Sequence, residues 1–152
     1  MLRKISKFSA LSAKEKRLFI EAYLLLGMIR AAILTISFKR LTRSLEQSKD
    51  RESSEPLTEE QLQSAVMAGR AIERAANYTP WESACLVQSL TAHRMLKKRG
   101  IPGVFYLGVL KDENTEEKMK AHAWSQCSDT IITGAQGHEE YTVLSVFGWG
   151  ER

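Results

Sequence analysis

The sequence predicts an α+β domain, with helices packed on a small antiparallel sheet and an extra helical segment ahead of them. Two observations carry this reading. From Ser12 to Gly100, three stretches place apolar residues at helical spacing, each behind a capping signal. From Val104 to Phe147, short β-rich runs alternate with polar turns. Helices first and meandering strands afterwards make an α+β fold rather than an alternating α/β one. The 152 residues suit one domain, long enough to bury roughly two thirds of the unfolded surface.

Composition narrows the chemistry. A hydrophobic fraction of 43% beside 26% charged residues is that of a soluble globular protein. Cys85 and Cys127 are too few for a disulfide scaffold, no Cys/His group has zinc spacing, and no glycine-rich phosphate loop is present. The expectation is a reduced, cytoplasmic setting. The net charge of +4 is unevenly placed: residues 1–50 hold 11 Lys/Arg against 4 Asp/Glu, and residues 51–152 hold 11 against 14. No aromatic-interleaved basic patch accompanies that charge, so nucleic acid is not the expected partner.

Residues 1–10 read as a loose basic arm without a signal-peptide pattern. Ser12 and Glu15 open a helix that runs through Leu18–Phe38, apolar on nearly every face. Its uncharged run between Glu21 and Arg30 is far shorter than the ~20 residues that span a bilayer. A buried helix, or one covered by a partner or a membrane surface, is expected, with Leu25 and Ile29 facing outward. Leu45–Pro56 is polar and charged, a linker between an N-terminal segment (1–50) and a core (51–152). Thr58 and Gln61 form a capping box for a helix to Ala76, with Leu62, Val66, Gly69 and Ile72 or Glu73 facing inward.

The next helix is predicted over Thr79–Gly100, with Thr79 as N-cap, Pro80 in the first turn, Glu82 completing a capping box and Gly100 as left-handed C-cap. Cys85, Ser89, Ala92 and Leu96 form one stripe, so Cys85 faces inward near the positive end of the helix, where a thiolate is favoured. Strands are predicted over Val104–Leu110, Ala121–Gln126, Thr130–Thr133 and Tyr141–Phe147, with a solvated loop over Lys111–Lys120 and a polar turn at Cys127–Thr130.

A helix cysteine followed by a strand histidine, here His122 in A-H-A-W, is the order of papain-like and transglutaminase-like thiol enzymes. The run C-L-V-Q-S-L-T-A-H-R-M-L-K-K-R-G-I-P-G-V-F-Y-L-G-V, then A-H-A-W, then E-Y-T-V-L-S-V-F, resembles the lasso-peptide leader peptidases, over about Trp81 to Phe147. That resemblance implies a papain/transglutaminase-like core and a cysteine protease that removes the leader of a lasso-peptide precursor. It also implies no cofactor, a leader often ending with threonine at its penultimate position, a separate leader-binding protein, and a macrolactam-forming cyclase acting next. The absence of a winged-helix-like recognition segment ahead of the core suits that split arrangement. Two other readings stay open: a transglutaminase-type acyl transferase or amidase, and a non-catalytic scaffold.

Within this reading Cys85 is the nucleophile and His122 the general base, then acid. His93 lies eight residues further along the helix and reads as structural; His138 reads as solvent-facing, and Cys127 as a turn residue. If the hairpin turns near Ser128, Gly134 faces His122, where family members often carry an aspartate. Gln136, Glu139 or a backbone carbonyl are the remaining candidates to orient the imidazole. Trp124 shares a strand face with His122. Trp124 and Trp81 are each either walls of a substrate cleft or core aromatics. The Cys85 amide, with a second donor such as a side-chain amide, would form the oxyanion hole.

Overall fold

The computed structural model describes residues 9–41, 46–48, 56–81, 83–111 and 119–149. Most of the expected N-terminal arm and of the linker, Glu82, and residues 112–118 of the expected solvated loop lie outside the described residues.

The capping signals explain where two helices begin. The Ser12 hydroxyl accepts from the Glu15 amide at 3.2 Å and opens α1, Ala13–Thr35; a short turn, α2, Phe38–Leu41, follows it. Thr58 and Gln61 exchange two hydrogen bonds of 3.1 Å, a complete capping box, and open α3, Glu59–Ala76. The next helix, α4, spans Cys85–Lys98, five residues later than the capping pattern predicts. The Thr79 hydroxyl lies 3.2 Å from the Ala76 carbonyl, 3.0 Å from that of Trp81 and 2.8 Å from the Ser83 hydroxyl. It ties the end of α3 to the following bend instead of capping a helix. At the other end of α4, Gly100 is left-handed at φ +69. The amides of Gly100 and Ile101 reach back to Lys97 and Leu96 at 3.0 and 2.9 Å, the paired bonds of a Schellman motif.

Among the described residues there are five strands: β1 (Glu46–Ser48), β2 (Gly103–Lys111), β3 (Met119–Cys127), β4 (Thr130–Thr133) and β5 (Thr142–Trp149). They form one antiparallel sheet in the order β1-β5-β2-β3-β4. β1 corrects the linker expectation: within that polar stretch, Glu46 to Ser48 pair with Gly148 to Val146 as an edge strand. The hairpin turn is confined to Ser128 and Asp129, so Cys127 belongs to β3 and is fully buried.

The helices cover the sheet in depth. α4 packs on β2, β3 and β4; α3 packs on α4 and β4; α1 packs on α3 and α4. Gly69 makes the close approach of α3 to β4 possible, because a Cβ there would stand 2.4 Å from the Ile132 carbonyl oxygen. Leu96, Met95, Phe105 and Ile72 fill the interior, with Phe105 and Phe147 stacked at 4.9 Å.

α1 differs from expectation in which face is outward. Leu18, Ala22, Leu26 and Ile29 are buried against the core and Leu25 packs beside them, while Ile20, Leu24, Met28 and Leu34 face solvent. With apolar residues on both faces, periodicity alone does not tell the two apart. By length and composition α1 could also cross a membrane, contrary to the estimate from its uncharged run. Its buried face, however, is part of the protein core. At its first half, Glu21 forms a forked ion pair with Arg99 (2.6 and 3.0 Å), with Lys98 at 3.8 Å. The Arg99 guanidinium holds the Glu21 carboxyl below its ordinary range.

Candidate active site

Cys85 is the first residue of α4, and among the described residues no side chain caps that end. The first amides of a helix have no partner within it, so the Cys85 N–H sits among unsatisfied donors at the positive pole. His122 stands in mid-β3, paired with Gly108 of β2. Cys85 and His122 line one open cleft of about 540 Å³, together with Glu73, Asn77, Gln88, Gly134, Ala135 and Gln136. A buried chain of hydroxyls holds the helix and the strand in register. Ser125 and Thr133 meet at 2.6 Å, and Thr133 and Ser89 at 3.4 Å. Ser89 lies one turn beyond Cys85, and Ser125 lies three residues beyond His122.

The imidazole is oriented by main chain. Its Nε2 is 2.7 Å from the Gly134 carbonyl oxygen; a carbonyl only accepts, so Nε2 carries the proton and Nδ1 is left as the basic nitrogen. Gly134 has φ +77, and a Cβ there would come within 2.5 Å of the Ala123 carbonyl oxygen. No side chain fits there. The bulged hairpin sets Thr133, the last residue of β4, opposite Ser125, so Gly134 is not the cross-strand partner of His122. Its carbonyl reaches the ring as a peptide dipole where a carboxylate was the family expectation. A carbonyl fixes ring and tautomer but stabilises an imidazolium less than a charged partner does. Of the two side chains considered for this role, Gln136 lines the cleft, while Glu139 lies 3.1 Å from His138 Nδ1.

Aromatic contacts hold the His122 ring from its sides. Trp124 stacks on it at 5.7 Å and Tyr141 lies at 5.1 Å. Trp124 is 4% exposed and also meets Tyr106 and His138, so it is a buried support for the imidazole, not one of the cleft-lining residues. Trp81 is likewise absent from the cleft lining: it packs against Tyr23 of α1 at 5.3 Å and over Gly27. Trp124 is thus buried beneath the imidazole, and Trp81 is half-buried against α1.

The remaining titratable groups are sorted by burial. His138 is half-buried rather than solvent-facing, and its Nδ1 donates to the Ala135 carbonyl at 2.7 Å. His93 is wedged against Trp149 at 5.2 Å, and desolvation, then Lys97 and Arg94, push its imidazole down to about 4. Burial pushes the Cys127 thiol up to about 12, which leaves it inert as a nucleophile. Among the described residues no group of acidic, histidine or cysteine side chains could hold a metal ion.

Three cleft residues were not assigned a role from the sequence. Gln88 donates its side-chain amide to the Ser83 carbonyl at 2.8 Å, bracing the bend before Cys85. Asn77, the C-cap of α3, lines the cleft. Glu73 sits one turn before Asn77, and partial burial pushes its carboxyl up. Asn77 and Gln136 bring side-chain amides to the same cleft as Cys85. The i, i+4 spacing of Glu73 and Asn77 on α3 was the available signal.

A family model for the transglutaminase-like superfamily matches residues 26–146. The chain belongs to the transglutaminase-like superfamily. No curated protein and no solved structure matches it. The papain/transglutaminase-like α+β core expected from the sequence is the fold found. Membership in the transglutaminase-like superfamily places the chain among cysteine proteases and thiol-dependent acyl transferases.

Proposed function

We propose that this member of the transglutaminase-like superfamily is a cysteine peptidase that removes the leader from a lasso-peptide precursor. It would act in the cytoplasm with a separate leader-binding protein, ahead of a macrolactam-forming cyclase. The observation that carries the reading is the single cleft in which the uncapped helix start at Cys85 meets His122, its Nε2 held by the Gly134 carbonyl. The sequence run from Cys85 through A-H-A-W supports the leader-peptidase assignment within the superfamily.

The chemistry follows from those positions. His122 Nδ1 takes the Cys85 thiol proton, and the thiolate attacks the scissile carbonyl. The oxyanion that forms is held by the Cys85 N–H with an amide of Asn77 or Gln136. The resulting imidazolium protonates the leaving amine, which departs and leaves a thioester on Cys85. Water, deprotonated by His122, then releases the leader acid and the free thiol. The test is to incubate the chain with a leader–core precursor, with and without the leader-binding protein, and follow masses. Hydrolysis at one bond is expected, with loss of activity in Cys85→Ala. Ammonia release or cross-linking instead would assign an acyl transferase, and no Cys85-dependent product of any kind would leave a scaffold.

A further inference from the structure

We propose that the outer face of α1 is a docking surface for an anionic lipid bilayer, on which the helix lies in the plane of the membrane. The face is apolar and open: Ile20 is 51% exposed, Leu24 61%, Met28 66% and Leu34 68%, with Ile36 just beyond at 40%. Ile20, Leu24 and Met28 are spaced by four, and Ala31 and Leu34 extend the same side, a stripe roughly 20 Å long at 1.5 Å per residue. Such a contiguous apolar stripe on an otherwise well-packed chain marks a surface that something covers.

Charge identifies what covers it. Residues 1–43 carry ten Lys/Arg and two Asp/Glu, whereas the rest of the chain carries twelve against sixteen. One of those two acids, Glu21, is already held by Arg99 and Lys98. Arg17 is exposed on the same side as the stripe, Lys14 is exposed one turn before it, and Lys39 and Arg40 are exposed beyond its far end. An apolar stripe with basic residues at both ends is the pattern of an interfacial helix on anionic lipid. The net acidic remainder of the chain favours turning this side, and no other, toward such a surface. A second copy fits less well, because stripe-to-stripe contact would bring two strongly basic segments together. Crossing the bilayer would require pulling Leu18, Ala22, Leu26 and Ile29 out of the core, where all four are buried.

The experiment is co-flotation of the full chain with vesicles of phosphatidylcholine alone, or of phosphatidylcholine mixed with phosphatidylglycerol, at low and high salt. The expected result is at least roughly tenfold tighter association with the anionic vesicles, weakened by salt. Leu24→Glu with Met28→Glu should abolish flotation while far-UV CD and the unfolding midpoint stay unchanged, since both side chains are mostly exposed. Arg17→Glu should lower the preference for anionic lipid without removing residual apolar binding. Failure to float with either vesicle overturns the proposal. So does flotation that survives the double substitution, and so does a dimer in light scattering that Leu24→Glu converts to monomer.

Discussion

The two ends of α4 do opposite work with the same backbone. At its start, Cys85 is half-exposed, no side chain caps the helix, and the first amides face a cleft. Two turns on, Thr91, Ala92, Met95 and Leu96 are fully buried, His93 is pressed against Trp149, and a Schellman motif closes the end. The difference shows where a fold of this size places reactivity: at an incompletely satisfied helix terminus, held still by an over-packed remainder. The catalytic end needs donors left free for a substrate, and the structural end has its last carbonyls matched by the Gly100 and Ile101 amides.

Separating the two ends by substitution gives the largest effects first. Cys85→Ala, and likewise His122→Ala, should lower peptide cleavage by several orders of magnitude with an unchanged unfolding midpoint. Substantial turnover in Cys85→Ala would falsify the thiol mechanism. Leu96→Ala should do the reverse, costing about 2–5 kcal/mol of stability through the cavity it leaves, while the folded fraction keeps its KM. Urea unfolding set beside cleavage kinetics reads both quantities.

His93 ties the buried end to pH. Folding pushes its imidazole from 6.5 down to about 4, so the unfolded chain binds the proton first as pH falls. Stability is therefore complete above 6.5 and declines as pH drops through that window, by up to about 3 kcal/mol. His93→Phe should flatten the decline, read as urea midpoints across the same range; an unchanged slope would assign it to other groups.

A smaller effect sharpens the contrast from the other direction. Ala84 is exposed with N-cap backbone angles and no capping side chain. Ala84→Asp should stabilise the protein by about 0.5–2 kcal/mol. It should also slow cleavage roughly tenfold, because a carboxylate there competes for the helix amides and opposes the thiolate. A cap that stabilises without slowing cleavage would remove those amides from the mechanism. Least affected should be Glu139→Ala tested for orientation of His122, since Nε2 is already bonded to Gly134. A strong drop in kcat for this variant would replace the carbonyl as orienter.

What the sequence disclosed follows from how local each signal is. The Thr58–Gln61 capping box and the β3–β4 hairpin are contained within a few residues, and both formed. A bulge nevertheless shifts the hairpin register, so that Thr133 meets Ser125 and Gly134 does not stand opposite His122. Thr79 carried an equally good capping pattern, yet tertiary ties from its hydroxyl move the helix start to Cys85. β1 has no β-rich composition; only its partner strand makes it a strand. The Gly134 carbonyl was hardest to read, because a main-chain oxygen has no residue type, and only a left-handed glycine aims it at His122. For α1 the helix itself was legible, but its inner and outer faces are too alike to be told apart without neighbours.

The edge pairing of β1 with β5 carries a consequence for the order of assembly. Gln47 meets Phe147, so this contact closes a loop of about a hundred residues. The β2–β3–β4 meander joins neighbours along the chain and can form early, whereas β1 has no template until β5 has docked on β2. During synthesis the N-terminal strand emerges first and pairs last. Through that interval α1 also waits, because α3 and α4 must be made before its inner face is covered. α1 is thus uncovered for longer than the elements made after it, and a chaperone or a surface that shields apolar helices would act on it then.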